Sequence, residues 1–207
     1  MALDKERIVA EAVALLDDGG LDGVTLRRLA QRLGVQAPTL YWHIRNKAEL
    51  VNALAEAILE AELTQLKPPR EDEPWRDWLI GVAQRLRRAM LAHPDGARVV
   101  SAAHLSPTMA AVSELAMSAL VDRGLPLRQA RLTVLVVERF TIGHVLEEQS
   151  PPPDEDALGG FDRDEFAKRH PTVVAAITDY FQPGRTVDDL FRDGLELILS
   201  QGSGDVS

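Results

Sequence analysis

The segment GVQAPTLYWHIRNK, residues 34–47, is the most informative stretch of this 207-residue chain. It completes a window from Thr25 to Lys47 that contains five basic residues and no Asp or Glu. The chain as a whole is acidic, with 32 acidic residues, 23 basic residues and a formal charge of −9. A short basic segment that includes a Tyr, a Trp and a His indicates a local surface for a polyanion.

The residues around this segment predict two short helices joined by a glycine turn. Thr25 can cap the first helix, and Gly34 can end it in the left-handed conformation. Pro38 suits the first turn of the second helix, where a missing N–H has no cost. Asn46, followed by a Glu three residues later, is typical of a capping box that starts the next helix. Two helices joined in this way form a helix-turn-helix motif, which we place at about 25–44.

Helical periodicity extends over nearly the whole sequence, and strand signals are almost absent. We therefore predict an all-α protein of about nine or ten helices, with a small module at 1–46 and a larger helical body at 47–207. Residues 150–162 are rich in Pro, Gly and Asp and predict a linker. Two last helices are expected at 163–181 and 186–200, followed by a frayed tail.

Composition limits the class of protein. Hydrophobic residues make up 45% and charged residues 27%, as in ordinary globular domains. The absence of cysteine excludes disulfides and thiolate metal sites. The charged N-terminus lacks the apolar region of a signal peptide, and the longest apolar run, at 132–137, is far shorter than a membrane span. We expect a cytoplasmic protein with no membrane partner.

The second helix of the motif has the residues of a DNA-reading element. Such a helix can enter the major groove with its N-terminal residues at the base edges. Lys47 stands in the first turn of its helix, where the dipole disfavours a cation, and a nearby phosphate would explain it. The alternative is that Tyr41 and Trp42 belong to the core and the arginines form a solvated face. Composition alone leaves both interpretations open.

The segment DGVTLRRLAQRLGVQAPTLYWHIRNKAEL, residues 22–50, resembles the DNA-binding domain of the TetR family of transcriptional repressors. The pattern LGV-x-x-PTLYWH-x-x-NK is highly specific, and weaker likeness continues at HPDGARV (93–99), RFTIGHVLEEQ (139–149) and GLELIL (194–199). The resemblance implies an Ω-shaped homodimer that binds a palindromic operator and releases it when a small-molecule inducer enters the body. It also implies a DNA-binding domain at 1–46 and a ligand-binding and dimerisation domain at 47–207.

The resemblance also implies specific DNA contacts. The residues expected at base edges are Arg27, Gln36, Ala37, Pro38, Thr39 and Tyr41, and those expected at the DNA backbone are Thr25, Trp42, His43 and Lys47. Ala37 and Leu26 replace polar residues of the tetracycline repressors in this family. We therefore expect a related architecture with a different operator sequence.

The same comparison predicts the chemistry of the ligand pocket. Tetracycline repressors surround their drug and its magnesium ion with polar side chains. The aligned positions in this chain are all apolar: Leu63, Val82, Leu86, Val100, Ala103 and Ala116. We expect a largely apolar inducer other than magnesium-tetracycline, bound without a metal or cofactor. The polar groups predicted for this pocket are His104, Arg139, His144 and Glu147.

Two helices of the body are candidates for the dimer interface. The helix beginning near residue 127 is apolar on nearly every side at its start, so it must be buried all round. The last helix carries Gly194 on its apolar face, which would let another helix approach closely. A four-helix bundle across a two-fold axis follows, although an ordinary intramolecular core is the alternative. The predicted interface residues are Val134, Val137, Leu190, Phe191, Gly194, Leu197 and Ile198.

Catalytic motifs are missing from the sequence. There is no phosphate-binding glycine loop, nucleophile elbow or HExxH pattern. His144 and Glu147 could form half of a metal site, but no second pair of this kind exists. We predict a regulator rather than an enzyme. Two alternatives remain: a helical small-molecule binding protein with a relict DNA module, and a transcriptional activator in place of a repressor.

Overall fold

A computed structural model describes residues 3–151 and 159–200 of the chain. The described ranges contain eleven helices and no strand, which confirms the all-α prediction. None of these helices is both long and apolar enough to cross a membrane. The helices are α1 (Lys5–Gly23), α2 (Leu26–Leu33), α3 (Ala37–Tyr41), α4 (Lys47–Leu63), α5 (Trp75–Leu91), α6 (Gly96–Ala102), α7 (Pro107–Asp122), α8 (Leu127–Glu148), α9 (Arg163–Arg169), α10 (Pro171–Tyr180) and α11 (Val187–Ser200).

The chain divides into two compact units, Met1–Gln149 and Ser150–Ser207. Helices α1 to α8 belong to the first unit and α9 to α11 to the second. In the first unit, α4 is the central element, because it packs against α1, α5, α6 and α7. Its buried side chains, such as Leu54 and Ile58, join one core that runs from Ile8 in α1 to Val145 in α8. The N-terminal helices and the larger body therefore share a hydrophobic core through α4.

Helix α1 continues past Gly19 and Gly20, although two adjacent glycines usually end a helix. Gly19 and Gly20 do interrupt the helical backbone, and Gly20 has a φ of 64°. A further turn then follows as far as Gly23. The Leu21 N–H at the start of this turn donates to Asp95 Oδ2 at 2.8 Å. A side chain 74 positions away in the sequence thus supplies the cap that this last turn lacks locally.

The helix expected at 163–181 is two helices rather than one. Pro171 begins α10, and His170, with φ −129° and ψ 53°, separates it from α9. A proline has no N–H to donate and disfavours the helical conformation of the residue before it, which explains the break. Residues 152–158 of the predicted linker and the predicted frayed tail at 201–207 lie outside the described residues.

Candidate nucleic-acid interface and ligand cavity

The turn between α2 and α3 has the geometry that its residues predict. Thr25 Oγ1 accepts the Arg28 N–H at 3.2 Å and so caps α2. Gly34 has φ 69° and ψ 29°, the left-handed conformation that ends a helix at a glycine. The Val35 N–H then returns to the Ala30 carbonyl at 3.0 Å. These backbone bonds set the direction in which α3 leaves α2.

Helix α3 presents most of its side chains to solvent. Leu40 is 1% exposed and anchors the helix to the core. In contrast, residues 36–39 are exposed, Tyr41 is 50% exposed and Trp42 is 88% exposed. The interpretation of Tyr41 and Trp42 as core residues is therefore wrong. A nearly bare Trp beside an exposed helix start is a surface available for a partner.

Two of the five basic residues in the window form bonds with other residues of the chain. Arg32 donates from Nε to Glu11 Oε2 at 2.9 Å and forms a second ion pair with Asp18. Both carboxylates belong to α1, so Arg32 joins α2 to α1. Arg28 donates from Nη1 to the Gly23 carbonyl at 3.0 Å, near the end of α1. Arg28 and Arg32, neither of which is among the predicted DNA contacts, therefore have partners within the protein.

Three basic side chains of the window remain at the surface. Arg27, Arg45 and Lys47 are exposed, and none forms an ion pair with another described residue. Thr25 and His43, which the sequence also assigns to the DNA backbone, are half-buried. The sequence window from Thr25 to Lys47 contains no acidic residue that could neutralise these three cations.

The start of α4 is capped as predicted, with one difference. Asn46 Oδ1 accepts the Glu49 N–H at 2.9 Å. In a standard capping box the Glu carboxylate would return to the Asn46 N–H. Here Glu49 Oε2 instead accepts the Arg45 N–H at 2.9 Å, one residue earlier. The bond holds the backbone between α3 and α4 and leaves Lys47 exposed in the first turn.

A cavity of about 490 Å³ lies in the first unit, and its walls come from α4, α6, α7, α8 and the loop between α6 and α7. The predicted pocket residues Val100, Ala103 and His104 all line it. The full lining is Leu59, Val100, Ala103, His104, Ser106, Met109, Ala110, Ser113, Met117, Arg131, Leu135, Glu138 and Ile142.

The other predicted pocket residues lie elsewhere. Val82, Leu86 and Ala116 line a second cavity of about 30 Å³ between α5, α7 and α8, which shares Met109, Ser113 and Glu138 with the first. Leu63 lines a separate surface depression. The remaining predicted polar residues line neither of the first two cavities: Arg139 and Glu147 are exposed, and His144, half-buried, has its Nε2 3.9 Å from Glu148 Oε1.

Sequence reasoning missed two charged side chains of the larger cavity, Arg131 and Glu138. Burial raises the pKa of Glu138, although the positive charges of Arg131 and Arg139 oppose the shift. The sequence does contain a signal for these two residues, because positions 131, 135, 138 and 142 follow the spacing of one helical face. Glu138 therefore lies on the cavity face of α8, whereas the predicted Arg139 does not.

Helix α4 holds the loop that carries part of the cavity wall. Glu56 Oε2 accepts the Ser106 hydroxyl at 2.7 Å, and Oε1 accepts the Thr108 N–H at 2.9 Å and its hydroxyl at 2.6 Å. Asn52 Oδ1 accepts the His104 N–H at 3.0 Å. The helix that begins just after the helix-turn-helix motif is thus bonded directly to the wall of the cavity.

The predicted dimer residues of α8 are not at the surface of the chain. Val134 and Val137 are 6% and 4% exposed and face α5 and α7. The exposed large apolar residues of α8 are Leu127, Leu132 and Val136, and the last two are one turn apart. On α11, Phe191 is buried, Gly194 and Ile198 are half-buried, and Leu190 and Leu197 are 37% and 64% exposed.

Known proteins match almost the whole chain. Residues 8–54 match the family described as bacterial regulatory proteins, tetR family, and residues 67–201 match the tetracyclin repressor-like C-terminal domain. The tetracycline repressor protein class A from transposon 1721 of Escherichia coli is 38% identical over 197 residues, which cover 95% of this chain and 89% of that protein.

Solved structures of regulators are also similar. The Streptomyces coelicolor TetR family protein ActR, in complex with (S)-DNPA, has a TM-score of 0.82 and 29% identity and covers 99% of this chain and 100% of its own. BioQ with its double-stranded DNA operator has a TM-score of 0.71 and 27% identity, with the same coverage of 99% and 100%.

An exposed helix-turn-helix and a helical body with a cavity are the features of a DNA-binding regulator with a ligand-binding domain. The matches show that the chain belongs to the TetR family. It is a transcriptional repressor with a ligand-binding domain, and not an enzyme, as the sequence predicts.

Proposed function

We propose that the protein represses transcription by binding a palindromic operator as a homodimer, and that a small molecule in the 490 Å³ cavity releases it. The observation that carries the proposal is the exposed face of α3 and its flanks. Residues 36–39, Tyr41 and Trp42 are exposed beside Arg27 and Lys47, which have no acidic partner among the described residues.

The roles within this surface follow from chemistry. The side chains able to hydrogen-bond base edges are those of Arg27, Gln36, Thr39 and Tyr41, and Ala37 and Pro38 offer apolar contact to a thymine methyl. The remaining residues of the interface would hold the DNA backbone: Thr25, Trp42, His43 and Lys47. Two copies of α3 in a dimer would read half-sites about 34–36 Å apart, one helical turn of DNA.

Release would use the bonds between α4 and the cavity wall. A ligand that displaces the loop between α6 and α7 must move or break the Glu56 and Asn52 contacts, because these bonds are short and direct. Since α4 also packs against α1, the change would reach the DNA-binding helices. In this proposal residues 1–46 bind DNA and residues 47–207 bind the ligand and the second copy.

The inducer is proposed to be a molecule other than magnesium-tetracycline. The chain is 38% identical to a tetracycline repressor, yet Val100 and Ala103 in the cavity wall have no metal-binding atom. Leu63, Val82, Leu86 and Ala116 are likewise apolar and lie outside this cavity. In addition, no group of three or more His, Asp or Glu residues suited to a metal ion exists in the part of the chain that the structure describes.

The test is selection of DNA from a random duplex pool by the purified protein at about 150 mM salt, where non-specific binding is weak. We expect a palindrome of two short half-sites. The absence of a consensus would contradict the proposal and favour a ligand-binding protein with a relict DNA module. Reporter transcription from the selected operator then separates a repressor from an activator.

One variant checks that the flank of α3 contacts the DNA. Trp42→Ala removes a side chain that is 88% exposed, so it should leave the thermal stability unchanged. Its affinity for the selected operator should fall, because a backbone contact is lost. Release by candidate molecules is measured on the same duplex, and release by magnesium-tetracycline would contradict the proposed inducer class.

A further inference from the structure

The wall that α8 gives to the cavity carries two opposite charges separated by apolar side chains. Arg131, Leu135, Glu138 and Ile142 all line the cavity. Their spacing of four, three and four residues puts them on one face of the helix. Arg131 and Glu138 are seven residues apart, which corresponds to about 10 Å along the helix axis.

Neither charged side chain has a direct partner in the chain. No hydrogen bond or ion pair joins Arg131 or Glu138 to another residue within 3–151 and 159–200. Glu138 is half-buried, and Arg131 is exposed at the same cavity. A partly buried carboxylate without a donor is costly, because desolvation is not repaid by a hydrogen bond. The arrangement is explained if a ligand supplies a hydrogen-bond donor to Glu138 and an acceptor to Arg131.

Arg139 and the Ser106 hydroxyl do not supply a direct partner, although the charges of Arg131 and Arg139 favour the ionised form of Glu138. Arg139 follows Glu138 directly but is exposed and does not line the cavity. The Ser106 hydroxyl is bonded to Glu56, so it is already committed inside the protein. Between the two charges the wall is apolar at Leu135, and Met109 and Met117 of α7 line the same space. Methionine side chains adapt well to a flat or irregular apolar body.

We propose that the inducer is amphoteric: an elongated molecule with an apolar middle, a protonated amine that meets Glu138 and an anionic group that meets Arg131. The two charged ends would be separated so as to reach both side chains, whose positions on α8 are about 10 Å apart along the helix axis. A guanidinium binds a carboxylate in a bidentate way, and an ammonium donates well to a carboxylate. This inference rests on the proposed function only in taking the cavity as the inducer site.

Four probes with one aromatic body test the proposal by isothermal titration calorimetry. They are 4-[4-(aminomethyl)phenyl]butanoic acid, its primary amide, its N-acetyl derivative and the compound with both ends blocked. The amphoteric probe should bind the full-length protein about tenfold more tightly than either singly blocked probe. Equal affinities for all four probes, or binding of none at millimolar concentration, would overturn the proposal.

Three matched variants assign each preference to a residue. Glu138→Gln should abolish the preference for the free amine, and Arg131→Gln the preference for the free acid. Arg139→Gln is the control, because it removes an adjacent charge outside the cavity and should leave both preferences intact. Melting curves verify that each variant is folded. Survival of both preferences in the first two variants would refute the assignment.

Measurement of operator binding distinguishes a failure of the proposed ligand chemistry from a failure of the proposed function. Operator binding is measured for the same variants without probe, so that an effect on DNA binding is recorded separately from an effect on probe preference. If the operator is bound and a doubly blocked, neutral compound releases it as well as the amphoteric one, the function stands and the inference fails. If no operator is bound while the probe preferences hold, the function fails and the ligand chemistry stands.

Discussion

Gly34 shows how one backbone conformation positions the DNA-reading helix. Its φ of 69° lies in the left-handed region, and an added Cβ would meet no atom within 4 Å. The need for glycine is therefore conformational and not a matter of space. The turn controls the angle of α3, so strain at this position acts on the presentation of the interface as well as on stability.

Replacement of Gly34 by alanine should destabilise the fold by about 1 kcal/mol, because an L-residue is strained at positive φ. Gly81→Ala is the matched control: it lies inside α5, and its Cβ would also meet nothing within 4 Å. That variant should gain up to about 1 kcal/mol, since alanine favours a helix more than glycine does. Urea unfolding at one fixed protein concentration measures both changes. Changes of the same sign would contradict this account.

Between neighbouring helices, the basic residues of α2 have divided roles. Arg32 bonds to Glu11 and Asp18 of α1, whereas Arg27 is exposed and has no ion pair with a described residue. Both arginines lie in α2, within the window that has no acidic residue, but they differ in what they contact. One maintains the packing of α1 on α2, and the other is available to DNA.

Substitution of these two arginines should separate folding from binding. Arg27→Gln should weaken operator binding by about 1–3 kcal/mol, the usual worth of a base-edge contact, with no change in melting temperature. Arg32→Gln should lower the melting temperature and leave the dependence of operator affinity on salt close to that of the unchanged protein. Fluorescence anisotropy across a salt series and thermal melts give the two readouts. A loss of operator affinity in Arg32→Gln at full stability would argue against this division.

Across the protein as a whole, apolar side chains remain exposed on both compact units. Leu132 and Val136 of α8 are 51% and 45% exposed, and Leu197 of α11 is 64% exposed. Rows of this kind on otherwise packed helices indicate contact with another protein surface. A second copy of the chain is the partner in our proposal, since two operator half-sites require two recognition helices.

Leu197→Glu should convert the dimer into a monomer and weaken operator binding, because a charge would be buried in an apolar interface. Leu105→Glu is the control, since Leu105 is 74% exposed in the loop between α6 and α7 and lies outside the proposed interface. Light scattering coupled to size-exclusion chromatography measures the mass of each variant. A dimeric Leu197→Glu protein, or a monomeric Leu105→Glu protein, would count against the interface.

The residues alone were sufficient for the caps, the glycine turn and the helix-turn-helix. Thr25, Gly34 and Asn46 each bond to backbone groups within four positions, so their effect can be predicted from the adjacent sequence. The break at His170 and Pro171 is equally local and could have been predicted from the proline. The family pattern likewise lies within residues 22–50.

The inward face of α8 required the tertiary structure. Its apolar residues occur on several sides, so Val134 and Val137 could not be told from Leu132 and Val136 until α5 and α7 were packed against them. For the same reason Glu138, not Arg139, proved to line the cavity. Local backbone bonds depend on neighbours in the sequence, whereas burial depends on segments that are distant in the chain and meet only in the folded protein.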